Sequence, residues 1–272
     1  MAPDDPESPA ASTPDPGAPG AYAAFLRRAQ AGEDEARAAE ALDVWFDAAV
    51  PAPTGPALDF GAGRGQALAW LHARGWRGLV AYEPDPALAR ALRDQAGPGA
   101  SGASSPGSRW EVAPAPGEAP DPLAWLRARE GTLSLVFAKD VLEHVDPDRV
   151  VELTAALARA LRPGGVLVAS APHAVSFAGT YVRYGDLTHR TAFTAGSLRQ
   201  LLEAAGLEDV RDHPPRFRPT AHPARLAYRA ARRAWHAALR TIYLLEEPAW
   251  RLQPPHFFPR LVASARRPVG RA

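Results

Sequence analysis

The strongest constraint on this chain is an alternation, from Ala57 to Arg211, of short apolar runs with stretches whose apolar residues recur every three or four positions. Ala57–Phe60, Leu79–Glu83, Leu133–Ala138, Val166–Ala171 and Leu207–Arg211 read as strands, with Arg109–Val112 a weaker one. Gln66–Arg74, Pro86–Arg93, Asp121–Arg129, Asp148–Leu161 and Ser197–Ala205 read as helices, and Gly75 and Gly206 end two of them. Pro163-Gly164-Gly165 is expected as a turn, Gly97–Ser108 as a surface loop, and the stretch between Ala171 and Ser197 as a further loop. Alternation of this kind predicts an α/β fold, a doubly wound parallel sheet with helices on both faces and right-handed crossovers.

The 272 residues can bury one full core and leave a part for substrate. Residues 1–20 are expected to be a disordered tail, because Pro, Ala, Asp and Ser offer little apolar surface to offset ordering entropy. That stretch is acidic and has no apolar centre, so it does not read as a secretory signal. A helical cap is expected over 21–52, with Leu42, Trp45, Phe46 and Ala49 at helical spacing and Pro51, Pro53 and Pro56 beyond it. No run of eighteen apolar residues predicts a membrane-spanning helix. The absence of cysteine removes disulfides, thiolate zinc sites and thiol nucleophiles, and a cytoplasmic location fits it. Lys139 is the only lysine among abundant Arg, Ala, Pro and Gly, a bias we ascribe to a GC-rich bacterial genome.

The segment Asp59-Phe60-Gly61-Ala62-Gly63-Arg64-Gly65 leaves a strand and enters a helix. Glycines let the chain turn sharply and let backbone amides approach a ligand, and a helix N-terminus favours a negative group. Glu83 ends the next strand, 22 residues beyond Gly61, where a carboxylate can accept hydrogen bonds from both hydroxyls of a ribose. A pyrophosphate loop would need a glycine at Gln66, so a nicotinamide-dependent enzyme is the weaker alternative.

From Ala57 to Arg211 the chain resembles the class I (Rossmann-like) S-adenosylmethionine-dependent methyltransferases, with four motifs in that family's order. The resemblance implies S-adenosylmethionine as cofactor, with Asp59, Gly61, Gly63 and Gly65 against its methionine part and Glu83 on its ribose. FAKDVLEHV, Phe137 to Val145, resembles the fourth-strand motif, which implies that Lys139 and Asp140 lie on the cofactor, Asp140 where it meets the substrate. LRPGGVLVASAP, Leu161 to Pro172, resembles the fifth-strand motif. The adenine contact, sought within SRWEVAPAPGEAP, has no assigned residue. YGDLTHRTAFTAGSLRQLLEAAGLEDV resembles the bacterial subgroup related to ubiquinone-biosynthesis and polysaccharide-associated methyltransferases. A seven-stranded sheet whose last strand, Phe257–Ala265, is antiparallel and next to the edge is likewise implied.

Methyl transfer is an in-line displacement that depends on positioning, and the attacking oxygen or nitrogen must lose a proton. His144, His189 and Asp186 are the candidates for that chemistry, all on loops expected at the carboxyl ends of strands. His144 either meets substrate or packs beneath the helix that follows; His189 either acts on the proton or ties its loop to Asp186 or Thr188. His173, after the fifth strand, is a further candidate, or else an exposed loop residue. No metal site is predicted, since the eight histidines are scattered and Asp186 with His189 is too small a ligand set.

The chain thus divides into tail 1–20, helical cap 21–52, cofactor domain 53–213, basic helical insertion 214–256, and last strand with tail 257–272. Thirteen arginines face only Asp212, Glu246 and Glu247 from Arg211 onward. In the insertion, Pro223–Leu244 reads as an amphipathic helix with Ala227, Ala230, Ala231, Ala234, Ala238 and Ile242 on one face, and Arg225, Arg229, Arg232, Arg233 and Arg240 on the others. Its uses stay open: a lid over substrate, a site for an anionic small molecule or glycan, or contact with an anionic membrane through a helix bearing Trp235 and Tyr243. Nucleic acid is the weakest partner, for want of a binding module. The expected function is methyl transfer to a hydroxyl, or less readily an amine, of a small molecule, sugar or glycan; a non-catalytic cofactor-binding partner of another methyltransferase is the alternative, whose sign would be a damaged loop.

Overall fold

The computed structural model describes residues 35–97, 109–113, 121–246 and 256–270. The expected tail over 1–20, most of the Gly97–Ser108 loop and the segment 114–120, where the adenine contact was sought, lie outside them.

Seven strands form one sheet: β1 (Ala57–Phe60), β2 (Leu79–Tyr82), β3 (Trp110–Val112), β4 (Leu133–Lys139), β5 (Leu161–Pro172), β6 (Glu208–Asp212) and β7 (Arg260–Arg266). Their order is β3-β2-β1-β4-β5-β7-β6, with β7 antiparallel to both neighbours and the pairings from β3 to β5 all parallel. The doubly wound α/β sheet read from the sequence is therefore the observed one. The helices are α1 (Glu35–Phe46), α2 (Gln66–Ala73), α3 (Pro86–Ala96), α4 (Pro122–Arg127), α5 (Pro147–Ala160), α6 (Phe177–Gly185), α7 (Ala195–Ala204) and α8 (Pro223–Glu246).

Alternate residues of the central strands feed two cores. Leu135 and Phe137 of β4 join Leu42 and Phe46 of α1 and Leu68 and Leu71 of α2 on one face. Val136 points the other way and meets Leu126, Leu157 and Leu202 from α4, α5 and α7. Burial on both faces explains why β1 and β4 read as mainly apolar runs, interrupted by Asp59 in one and by Ser134 and the terminal Lys139 in the other. Asp43 of α1 accepts from Trp70 Nε1 (2.9 Å) and from Arg74 (3.1 Å), fastening this helix to α2. The chain runs outward from β1 through β2 to β3 and then returns to β4, so a crevice opens at the carboxyl ends of β1 and β4, where open α/β sheets bind ligands.

Five local expectations are corrected. The stretch after β5 is not all loop: Ser176 caps α6, accepting from the Gly179 amide at 3.3 Å. His173 is fully buried, its Nδ1 donating to the Phe258 carbonyl at 3.0 Å and its backbone bridged to Phe193. The last strand begins at Arg260 instead of Phe257, and Pro163–Gly165 falls within β5 as an irregularity, with Gly164 at φ 75°.

The fifth concerns α8. Its packed stripe is Arg229, Arg232, His236, Leu239 and Tyr243, at intervals of three and four, whereas Ala227, Ala230, Ala231, Ala234, Ala238 and Ile242 face outward. The domain offers aromatic rings here: Arg232 lies 4.1 Å from the centre of Phe217 and 5.1 Å from that of Phe258, His236 meets Phe258 at 4.8 Å, and Tyr243 meets Phe257 at 5.4 Å. Guanidinium stacks well on such rings, and an alanine face has too little area to displace it. No helix among the described residues is long and apolar enough to cross a membrane.

Candidate active site

The crevice is a cavity of about 620 Å³. Its floor is the loop after β1, where Gly61, Gly63 and Gly65 take φ of 79°, 55° and 81°. These left-handed values fold the chain back on β2, and the loop's amides turn inward: Gly61 and Ala62 donate to the Tyr82 carbonyl, Gly65 to Ala62, and Gly63 to Glu83 Oε2 at 2.6 Å. The expectation that this bend presents its amides to a ligand is thus corrected for those four. What opens on the cavity instead is the start of α2, through Gln66 and Ala67, where Gly65 brings no side-chain cap. A Cβ at Gly63 would meet nothing within 4 Å, so the bend leaves room for a ligand beside it.

Two carboxylates flank the loop. Asp59 of β1 is 1% exposed, its Oδ2 has no hydrogen-bond partner among the described residues, and it lines the cavity. Burial pushes its pKa up to about 7, with nearby Glu83 adding to the rise and Lys139 opposing it. Glu83, also raised by burial, spans the Gly63 amide and, through Oε1, the Asp85 amide at 2.9 Å. An orphaned buried carboxylate oxygen lacks the donor that a ligand's ammonium would supply, and this is where the residues present fit the methionine end of S-adenosylmethionine.

Across the crevice, β4 ends in Lys139 and Asp140. Asp140 takes a left-handed φ of 55° and accepts from Ser170 Oγ (2.8 Å), Lys139 Nζ (3.2 Å) and Arg260 Nη2 (2.6 Å). Burial alone would raise its pKa, but the Arg260 guanidinium and then Lys139 hold it well below the usual carboxylate range. Arg260 escaped the sequence reading. Because β7 runs antiparallel, its first residue pairs with Pro172, the last of β5, and so reaches the ligand end of the sheet. Trp45 of α1 lines the same cavity, with Arg260 5.7 Å from its ring centre.

The far end of the cavity is built from the turn Leu142–His144 and the segment after β5, clamped by the Arg190 and Thr191 amides on the Glu143 carbonyl. Here His144 and His189, 45 residues apart in sequence, sit with ring centres 4.6 Å apart. Asp186 Oδ1 accepts from the Thr188 amide (2.8 Å) and hydroxyl (2.7 Å). That hydroxyl spends its proton on Asp186, so toward His144 Nδ1, 2.8 Å away, it accepts. His189 Nδ1 donates to the Arg183 carbonyl at 3.3 Å. In its neutral form each ring would therefore carry the proton on Nδ1 and the lone pair on Nε2. Burial, then the neighbouring His189, lowers the His144 pKa and keeps that ring neutral near pH 7. Glu143 lies 1% exposed beside them with Oε2 unpartnered among the described residues, and burial together with Asp140 raises its pKa well above normal.

Every predicted site residue except Gly65 lines this one cavity: Asp59, Gly61, Gly63 and Glu83 on the cofactor side, Lys139 and Asp140 between, and His144, Asp186 and His189 beyond. Gly65 serves the turn itself, since a Cβ there would lie 2.8 Å from Leu92. Glu143, which was not among the sequence candidates, joins His144 and His189 with one ligand atom from each residue within 4.8 Å of the others, a two-imidazole, one-carboxylate set able to hold a divalent cation. Glu143 and His144 are neighbours in the chain, and the fold brings His189 to them.

The family model described as "Methyltransferase domain" matches residues 26–212. Among solved structures the chain is similar to a SAM-dependent methyltransferase from Archaeoglobus fulgidus (TM-score 0.57, 17% identity, 90% of this chain and 100% of that one). It is also similar to one from Mesorhizobium loti (0.52, 22%, 86% and 100%) and to a possible histamine N-methyltransferase from Thermotoga maritima (0.53, 16%, 90% and 96%). At such identities these likenesses speak for the fold. Comparison with curated proteins gives no match. With the family model covering more than half of its residues and the sheet order agreeing, the chain belongs to the class I S-adenosylmethionine-dependent methyltransferases.

Proposed function

We propose that this enzyme methylates a hydroxyl of a small molecule, sugar or glycan, an amine being the less favoured acceptor, and that the acceptor docks against Glu143, His144, Asp186 and His189. The observation that carries the reading is the pair of imidazoles, both with Nε2 as the acceptor nitrogen, across the crevice from the Asp59–Glu83 wall. S-adenosylmethionine, when bound, supplies an electrophilic methyl on a sulfonium. Asp59 receives the ammonium of its methionine part, Glu83 the ribose hydroxyls, while Lys139 and Asp140 shape the passage between cofactor and acceptor. The acceptor's proton would pass to an imidazole Nε2 as the methyl is transferred, and solvent would take it once product leaves. Arg64 and Arg260 on the cavity wall favour an acceptor that carries negative charge. A cytoplasmic bacterial enzyme of the ubiquinone- and polysaccharide-related subgroup fits the cysteine-free sequence and the Asp186–His189 motif.

The test is methyl transfer from radiolabelled S-adenosylmethionine into fractionated small-molecule extract, followed by assay of His189→Ala on the labelled acceptor. Turnover should fall about 10²–10⁴-fold while S-adenosylhomocysteine affinity in calorimetry holds. An unchanged rate leaves His189 structural and overturns the assignment. The ligand set of Glu143, His144 and His189 favours a second reading, in which a divalent cation holds the acceptor oxygen in place of a free imidazole base. Stoichiometric zinc, manganese or iron in the purified protein, with activity lost on chelation and restored by the metal, selects that reading.

A further inference from the structure

Of fourteen large apolar side chains that the described surface exposes, eleven lie on two helices or the turn after one of them. Phe177, Tyr181, Val182, Tyr184 and Leu187 belong to α6 and its end; Leu226, Tyr228, Trp235, Ile242, Leu244 and Leu245 belong to α8. The two groups are continuous, since the Phe177 and Trp235 rings lie 6.1 Å apart. Soluble surfaces seldom gather apolar area in this way, and a patch of this kind marks something that covers it.

The charge pattern says what. At about 100° per residue the outward arc of α8 carries its alanines, Ile242 and Leu245, with Tyr228 and Trp235 along one border and Arg233 and Arg240 along the other. All three of Arg225, Arg233 and Arg240 are exposed, and the helix has no acidic residue before Glu246. Tyrosine and tryptophan beside a shallow apolar face, with arginines next to it, is the composition of a helix that lies in the plane of a lipid headgroup layer. A second copy packed antiparallel fits poorly, because a twofold axis across the helices would set the arginine borders of both chains near each other. The family match ends at residue 212, so α8 lies beyond the matched residues.

We propose that the outward faces of α6 and α8 seat this enzyme on an anionic bilayer. The crevice mouth lies at the same face, since Val182 is exposed on α6 and also lines the cavity. An amphipathic acceptor held in the membrane could then offer its polar head to His144 and His189, a consequence that rests on the acceptor reading above, whereas the docking itself does not.

The experiment is flotation of the full chain with vesicles of phosphatidylcholine alone and of phosphatidylcholine with 30% phosphatidylglycerol. We expect capture by the anionic vesicles, little by the neutral ones, and release as salt is raised. Arg233→Gln/Arg240→Gln should weaken capture roughly 30-fold, at about 1 kcal/mol per basic residue near the surface. Trp235→Ser/Ile242→Ser should abolish it with S-adenosylhomocysteine binding intact, a control that also separates failed docking from a failed cofactor site. Equal recovery with neutral and anionic vesicles, no capture by either, or a dimer in sedimentation that dissociates in the Trp235→Ser/Ile242→Ser variant would each overturn the proposal.

Discussion

Replacing Arg260 with methionine tests the electrostatic centre of the crevice. The guanidinium sits 2.6 Å from Asp140 Oδ2, and the two side chains are 32% and 25% exposed. Stripping one partner from a fully buried pair costs about 3–5 kcal/mol and an exposed pair about 0–1 kcal/mol. This pair lies between those limits, and Lys139 stays behind at 3.2 Å, so about 2 kcal/mol is expected at pH 7. For a chain of this size that lowers Tm by about 4–8 °C. The pH dependence follows from Asp140, which the wild type holds below its ordinary value. Its contribution is present above an unfolded pKa of about 4 and is lost only as pH falls through the depressed native value. Without Arg260, burial carries more weight and the native value climbs, so the difference between wild type and variant is largest at neutral pH and narrows toward pH 4. Asp140→Asn removes the charge that needs a partner, and asparagine tolerates the φ of 55°. The double variant should therefore be more stable than additivity of the two single changes allows, read by thermal denaturation across pH 4–8. Additive losses, or a pH-independent difference, would refute the argument that Arg260 neutralises a buried charge.

Asp59→Asn should weaken S-adenosylhomocysteine binding by at least tenfold. In the wild type, a carboxylate with pKa about 7 should make affinity rise from pH 6 to pH 8 with proton uptake by buffer, and the variant should lose that slope in calorimetry. Gly63→Arg puts a long side chain into the space beside the bend, at a φ of 55°, and should abolish binding; retained affinity would remove this loop from the cofactor site. At Gly179 a Cβ would collide with the His173 carbonyl oxygen and lie 3.1 Å from that of Pro259. Gly179→Ala should unseat α6, opening the segment 173–190 to limited proteolysis, while S-adenosylhomocysteine binding survives; resistance equal to wild type would refute the close-packing account.

The parts legible in the sequence are those where one residue type has one physical use. A strand buried on both faces must be a mainly apolar run, as Ala57–Phe60 and Leu133–Ala138 are, and a bend with three left-handed residues must be glycine-rich. Such constraints are local, so they survive without coordinates, and they set both the sheet and the cofactor side of the crevice. Long-range placement left weaker traces. The pairing of His144 with His189 comes from two backbone bonds to the Glu143 carbonyl, which no spacing rule announces. The burial of His173 depends on Phe258, 85 residues away. Arg260 is an ordinary strand-start residue until the antiparallel direction of β7 is known, and that direction delivers it to Asp140.

The helix α8 shows a different limit. Its period was legible and so was its length, but the face assigned to the interior points to solvent. Amphipathicity fixes two faces and leaves open which one a domain prefers, because that depends on what the domain offers. An aliphatic groove would have taken the alanines. The surface here offers Phe217, Phe257 and Phe258, and against rings a stripe of Arg232, His236 and Tyr243 gains stacking that alanine cannot match. Cutting that stacking is the direct check: Phe217→Ala/Phe258→Ala should loosen α8 and raise its amide exchange, whereas substitutions on its alanine face should leave exchange untouched. If the alanine-face substitutions are the ones that release the helix, its apolar side is packed after all, and the surface available to a membrane disappears with it.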